Sequence, residues 1–293
     1  MSKFLTFERY CAPETEEELY RLLRDGTACV LAGGTDLLIA MREKGLRPSC
    51  VVDIKRITEL RGIQGLNGGG LVVGATTTLH EIETSKTVRQ SCPVLGDAVS
   101  MIGSLQVRNR GTLGGNLSNA SPAADSGPAL LVLGAQLELA SASGTRLIPV
   151  ETFFVGPGKS ALNQGEILRH VRIPEPAPGT QSAYLKFGPR KAMDIAVVGV
   201  AVSLMFNGDG SCRDARVALG SVAPTPVRAK RAEAALPGEL NEERIQAAAT
   251  LAAQETSPVD DIRGGKVYRT DLVKVLAARA IKQAIAQHRA GSS

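Results

Sequence analysis

The sequence predicts an α+β protein made of two N-terminal lobes, residues 1–60 and 61–176, and a C-terminal domain, residues 177–293. Strand-like and helix-like runs alternate through the first lobe, the pattern of an α/β unit. The run "EILRHVRIPEPAPG" passes from apolar alternation into prolines, which puts a boundary near Pro176. Beyond it strands come first and helices last. A chain of 293 residues also exceeds a usual single core, at roughly 100 to 200 residues per domain.

In chain order, Phe4 to Tyr10 reads as a short strand. Thr15 and Glu18 then stand at capping-box spacing ahead of Leu19, Leu22 and Leu23, so a helix starts there. "ACVLA" is a strand, "AGGTD" a glycine turn, "DLLIAMRE" a short helix and "CVVDI" another strand. The second lobe opens with "GIQGLNGGGLVVGA", a hairpin whose turn holds Asn67-Gly68. Thr78 and Glu81 repeat the capping spacing. A helix follows from about Pro93 to Ile102, then a second glycine turn, "RGTLGGNLSN", a buried helix in "SGPALLVLGA", and strands in "QLELAS" and "TRLIPV". The closing strand keeps Ile167, Val171 and Ile173 in phase but leaves Leu168 out of it. The C-terminal domain has strands in "SAYLKFG", "AVVGVAVSLMF" and "DARVALGSV", and helices in "NEERIQAAATLAAQ" and "YRTDLVKVLAARAIKQAIAQ". In the last, Leu272, Val275, Leu276, Ala280, Ile281 and Ile285 are expected on one buried face.

Composition narrows the function. The net charge is +5, but the 34 Lys and Arg are dispersed and aromatics make up only 3%, which is poor material for a nucleic-acid surface. No apolar run reaches the roughly 18 residues of a membrane span, and the N-terminus shows no signal-peptide block, so a cytoplasmic protein is expected. Cys11, Cys29, Cys50, Cys92 and Cys212 are scattered and form no CxxC, which favours reduced thiols over a disulfide framework, a zinc site or an iron–sulfur site.

The chemistry concentrates in the two glycine turns. A Gly-Gly turn exposes successive N–H groups and can nest an anion, or it can be a tight structural turn and nothing more. At Ala32–Asp36 a following helix would add its positive end and Thr35 a hydroxyl. The second turn adds Thr112, Asn116, Ser118, Asn119, Ser121 and Asp125, more hydrogen-bonding capacity than a turn requires. Two such turns could grip the two phosphates of a dinucleotide, with Asp125 accepting from a ribose hydroxyl or an amino group. There is no GxGxxG, and "GPGKS" lacks the first glycine of a P-loop, where Phe153 stands instead. His80, His170 and His288 have no nucleophile beside them in sequence, so no catalytic residue is assigned and a bound cofactor is expected to supply the chemistry.

The segments "LAGGTDLLIAM", "VRNRGTLGGNLSNASPAADSGPALLVLGAQLEL", "FFVGPGKSALNQGEILRHVRIP" and "KAMDIAVVGVAV" occur in the order found in the FAD-binding, or medium, subunits of molybdenum hydroxylases, the family of carbon monoxide dehydrogenase and xanthine dehydrogenase. The resemblance covers nearly the whole chain. It implies the two-lobed FAD-binding fold of the vanillyl-alcohol oxidase (PCMH) type, followed by a C-terminal α+β domain. It implies FAD here, with molybdopterin and 2Fe-2S clusters only on partners: a small 2Fe-2S subunit and a large molybdopterin subunit, in a dimer of heterotrimers that reduces an external electron acceptor. A self-sufficient FAD-dependent oxidoreductase of the same fold is the alternative. By resemblance, Ala32, Gly33, Gly34, Thr35 and Asp36 match the loop around the FAD pyrophosphate. Thr112, Gly115, Asn116, Asn119 and Asp125 match the second FAD loop, and Leu168, Lys186 and Ile195 match positions near the adenine or the flavin ring. Ile102 and Ile195 stand where some relatives carry aromatics, and the cysteine-rich insertion of the branch that reduces acyl-CoA thioesters is lacking.

Overall fold

The valine-rich run of the first lobe forms the centre of a three-stranded parallel sheet. The computed structural model describes residues 7–190 and 192–291; the expected strand from Phe4 lies partly outside them, and the described strand, β1, is Arg9–Cys11. It is followed by α1 (Glu16–Leu23), β2 (Ala28–Leu31), α2 (Leu37–Glu43) and β3 (Cys50–Asp53), with the sheet ordered β1-β3-β2. All four β3 residues are buried, as befits a central parallel strand covered on both faces. Thr15 caps α1 as its spacing predicts, accepting from Glu18 N at 3.2 Å. Leu19, Leu23, Cys50, Val52 and Ile54 make the small core beneath.

The second lobe begins with β4 (Ile63–Gly65) and β5 (Leu71–Gly74), the antiparallel hairpin expected around Asn67-Gly68. Five helices follow: α3 (Leu79–Thr84), α4 (Lys86–Ser91), α5 (Pro93–Ser100), α6 (Leu105–Arg108) and α7 (Leu113–Ser118). Thr78 and Glu81 form a complete capping box at α3. Next is α8 (Ser126–Leu133), whose residues are all buried and which ends on Gly134 at φ 65. Strands β6 (Gln136–Ser141) and β7 (Gly144–Pro149), the hairpin β8 (Phe154–Gly156) with β9 (Lys159–Ser160), and β10 (Ile167–Ile173) complete the lobe. Although last in sequence, β10 lies mid-sheet, in the order β4-β5-β10-β6-β7.

A β-bulge between Leu168 and His170 explains why Leu168 is out of phase. It turns Ile167 into the core of the first lobe and Leu168 into that of the second. The lobes are also joined by charge. Arg169 donates to Glu16 of α1 at 2.7 Å and to Glu138 of β6 at 3.0 Å, while Arg172 and His170 meet the same Glu138 carboxylate. Burial alone would raise the Glu138 carboxyl, but the bonds from Arg172, Arg169 and His170 outweigh it and hold it at about 2.

The C-terminal sheet is antiparallel, ordered β11 (Thr180–Phe187), β12 (Val198–Phe206), β13 (Cys212–Gly220) and β14 (Val227–Arg228). Its period of two sends Tyr184, Ala201 and Ala218 toward the second lobe. The opposite face, with Val198, Val200, Val202 and Leu204, packs under α9 (Lys230–Ala235), α10 (Glu242–Gln254) and α11 (Lys266–Gly291). One expectation for α11 fails: Val275 is 44% exposed. Val273, Ala277, Ala280 and Ala284 centre the buried stripe, and a residue two places from Val273 and from Ala277 is turned about 200° away from each. Among the described residues no helix is long and apolar enough to cross a membrane.

Candidate functional site

The two glycine pairs lie side by side between the lobes. The first follows β2. Gly34 takes φ 78, a left-handed conformation that suits glycine and turns the chain into α2. Gly33 lies against the other loop: a Cβ there would come within 2.2 Å of the Arg110 carbonyl oxygen. Among the described residues, the N–H groups of Gly33, Gly34, Thr35, Asp36 and Leu37 have no protein partner. Successive free N–H groups in such a turn form a nest for an anion.

The second pair was expected to be an open turn. Instead, Gly114 and Gly115 form the first turn of α7, with Thr112 as its N-cap. The reason is local: every donor there is used. Leu113 N donates to Thr77 O at 3.1 Å, Gly114 N to Ala75 O at 2.9 Å, Gly115 N to Thr112 Oγ1 at 3.1 Å and Asn116 N to Thr112 O at 2.9 Å. Gly114 is also packed close, since a Cβ would stand 2.5 Å from that of Ala75.

A cavity of about 360 Å³ opens between the pairs. Ala32, Gly33, Gly34, Thr35 and Asp36 line one side, Gly115, Ser118 and Asn119 another, and Val30, Ile54, Leu162, Ile167 and Leu168 give it an aliphatic wall. Asn119 Nδ2 donates to Asp36 Oδ1 at 3.2 Å and joins the sides. Burial pushes the Asp36 carboxyl above its ordinary range, only partly opposed by Lys44. No Lys or Arg lines the cavity.

Eight of the thirteen residues expected from sequence therefore meet around one space. The other five lie elsewhere. Thr112 caps α7, and Asn116 Oδ1 accepts from Ser126 Oγ at 2.6 Å. Asp125 was expected to accept from a ligand, but its side chain is 5% exposed and both oxygens are engaged, by Tyr184 Oη at 2.6 Å and Lys186 Nζ at 2.8 Å. Burial drives its carboxyl upward, against the pull of the Lys186 ammonium, and drives the Tyr184 phenol well above its usual range. Lys186 also donates to the carbonyls of Met101 and Asp194, each at 2.9 Å, and so ties two surface loops together. Ile195 stands half exposed on one of them.

Sequence reasoning missed Lys55, whose Nζ donates to Ala32 O at 3.0 Å at the start of the first loop. The one available signal was a cation two residues beyond the acidic end of a buried strand, in "CVVDIK". It also missed Leu162 and Ile167, which carry no chemical signature. Among the described residues no cluster of three His, Cys, Asp or Glu could hold a metal ion.

Comparison with known proteins agrees over nearly the whole length. The family model described as the FAD binding domain in molybdopterin dehydrogenase matches residues 5–176, and that of the CO dehydrogenase flavoprotein C-terminal domain matches 183–284. The xanthine dehydrogenase FAD-binding subunit of Escherichia coli O157:H7 is 35% identical over 283 residues, 96% of this chain and 97% of that protein. A chain of carbon monoxide dehydrogenase from Hydrogenophaga pseudoflava, solved in a form lacking the Mo-pyranopterin moiety, superposes with a TM-score of 0.92 at 35% identity, covering 97% of this chain and 99% of that one. A chain of quinoline 2-oxidoreductase from Pseudomonas putida 86 gives 0.92 and 35%, covering 98% and 99%.

Proposed function

The chain belongs to the FAD-binding, or medium, subunits of molybdenum hydroxylases of the carbon monoxide and xanthine dehydrogenase type, and on that premise we propose that it is the electron-transfer subunit of a three-component complex. It takes electrons from the 2Fe-2S clusters of a small partner and passes them to an external acceptor, while a large molybdopterin subunit oxidises the substrate. The assembly is a dimer of heterotrimers in the cytoplasm. FAD, when bound, supplies the redox chemistry.

The observation that carries this reading is the row of five N–H groups from Gly33 to Leu37, without a partner among the described residues, on residues that line a cavity with no Lys or Arg in its wall. A diphosphate fits such a site: backbone dipoles hold it without a lysine or arginine, and the aliphatic wall excludes water from its flank. In this reading the lobes 1–60 and 61–176 clasp the cofactor, and the domain 177–293 carries Lys186 and Ile195 to the ring end. Ala32, Gly33, Gly34, Thr35 and Asp36 hold the pyrophosphate from one side. Gly115 and Asn119 close the other, and Leu168 packs against the apolar part. Thr112, Asn116 and Asp125 act from behind, by fixing α7 and the strand bearing Lys186.

The test is the absorption spectrum and subunit inventory of the natively purified protein. A flavin spectrum with one small and one large partner is expected. Flavin without partners would overturn the complex, and a folded, FAD-supplied preparation lacking flavin would overturn the cofactor assignment.

A further inference from the structure

The Ala32 carbonyl and the Gly33 N–H are two ends of one peptide group, and a charge holds the carbonyl end. Lys55 Nζ donates to Ala32 O at 3.0 Å and to Asp53 Oδ1 at 2.7 Å. Asp53 also accepts from Lys55 N at 3.0 Å and, through Oδ2, from the Tyr10 hydroxyl at 2.7 Å. Burial alone would raise the Asp53 carboxyl, but the bonds from Lys55 and Tyr10 outweigh it and keep it ionised. The Asp53 side chain is 12% exposed and that of Lys55 32%, so the pair is partly withdrawn from water. Lys55 does not line the cavity. Among the described residues its one hydrogen bond to the loop is at this carbonyl.

We infer that Lys55 is a positioning residue for the cofactor diphosphate, orienting and polarising the Ala32–Gly33 peptide so that the Gly33 N–H becomes a stronger, fixed donor. The inference rests on the reading that the cavity binds FAD. In a planar trans peptide the C=O and N–H point in opposite directions, so a cation bound to the oxygen leaves the N–H aimed away from it. A charge-assisted bond on the carbonyl also strengthens the donor at the other end of the same group. Gly33 is backed by the Arg110 carbonyl, which limits rotation of this peptide. The positive charge thus acts on the anion through the backbone, with no ammonium in the cavity. Tyr10 and Asp53 complete the support by fixing the ammonium.

The experiment compares FAD titrations of wild-type apoprotein with Lys55→Met, Lys55→Gln and Lys55→Arg, and follows the Gly33 amide in ¹H–¹⁵N spectra. Lys55→Met should lower FAD affinity about tenfold, the scale on which outer partners of a bound group act. It should also shrink the downfield shift of the Gly33 proton on binding, with an unchanged circular dichroism spectrum. Lys55→Arg should restore most of both. If Lys55→Met fails to fold, Lys55→Gln, which keeps a neutral donor, carries the test with the same signs and a smaller effect. Wild-type affinity in a folded variant, or a loss of affinity with a normal Gly33 shift, overturns the inference and leaves the FAD assignment standing. Failure of the wild-type chain to bind FAD overturns both.

Discussion

The two glycine pairs look alike in sequence and differ in what their backbones have left to offer. At Gly33-Gly34 the chain is a loop with a left-handed residue and a row of N–H groups that have no partner among the described residues. At Gly114-Gly115 it is a capped helical turn in which the donors from Leu113 to Asn116 are all satisfied. Yet each pair divides its labour in the same way. The first glycine of each lets two backbones approach, on Arg110 or on Ala75, and the second has only side chains near it, while all four line the cavity. The same dipeptide thus serves one binding surface and one rigid wall, and the unused hydrogen-bonding capacity tells them apart.

The largest test of this division is on the first glycines. Gly33→Ala and Gly114→Ala each force a methyl into backbone or a packed Cβ, and should each destabilise the apoprotein by about 3 kcal/mol in denaturant unfolding. Near-normal midpoints would break the packing half of the comparison. The second glycines should separate stability from binding. Gly34→Ala should cost about 1–2 kcal/mol for its left-handed φ and also lose FAD, because the nest cannot keep its shape. Gly115→Ala has no such φ and sits in a helix, but its methyl would stand 2.9 Å from the capping Thr112 Oγ1, so it should cost about 1 kcal/mol, less than either first glycine. Its FAD affinity should fall, since Gly115 lines the cavity and the methyl presses on the Thr112 hydroxyl that holds this turn, and retained affinity by flavin fluorescence would remove Gly115 from the site.

The smallest effect concerns Asp36, whose carboxyl burial pushes upward. A carboxyl with a raised folded-state pKa favours folding in its protonated form, so its ionisation costs stability as pH rises through that pKa. Asp36→Asn should therefore melt slightly above wild type at pH 7, and the gap should close as the pH falls below the ordinary carboxylate range of about 4. A gap independent of pH would mean that the cause is not ionisation.

Much of the fold was legible because its signals are local. Thr15 and Thr78 capped where their spacing said they would, and Asn67-Gly68 turned a hairpin. The apolar phase of β10 even registered its bulge, as the misplaced Leu168. What escaped depends on partners far along the chain. Val275 looked buried because alanines, weak as hydrophobic signals, define the true stripe of α11. The pair at Gly114 reads as a turn until Ala75 and Thr77 arrive to take its donors. Asp125 reads as a ligand contact until Tyr184 and Lys186, about sixty residues later, claim its oxygens. The sequence showed which residues could bind, but spare valence is a property of the folded neighbourhood.

The place of β10 in its sheet has a consequence for how the protein is made. Until residues 167–173 have left the ribosome, β5 and β6 each lack a neighbour, and neither edge can be closed by anything earlier in the chain. Bare strand edges invite pairing with other chains. Contacts closed across so many residues also form slowly. The nascent polypeptide is therefore most vulnerable to aggregation when most of its second lobe is already synthesised, and chaperone demand should peak just before that strand inserts.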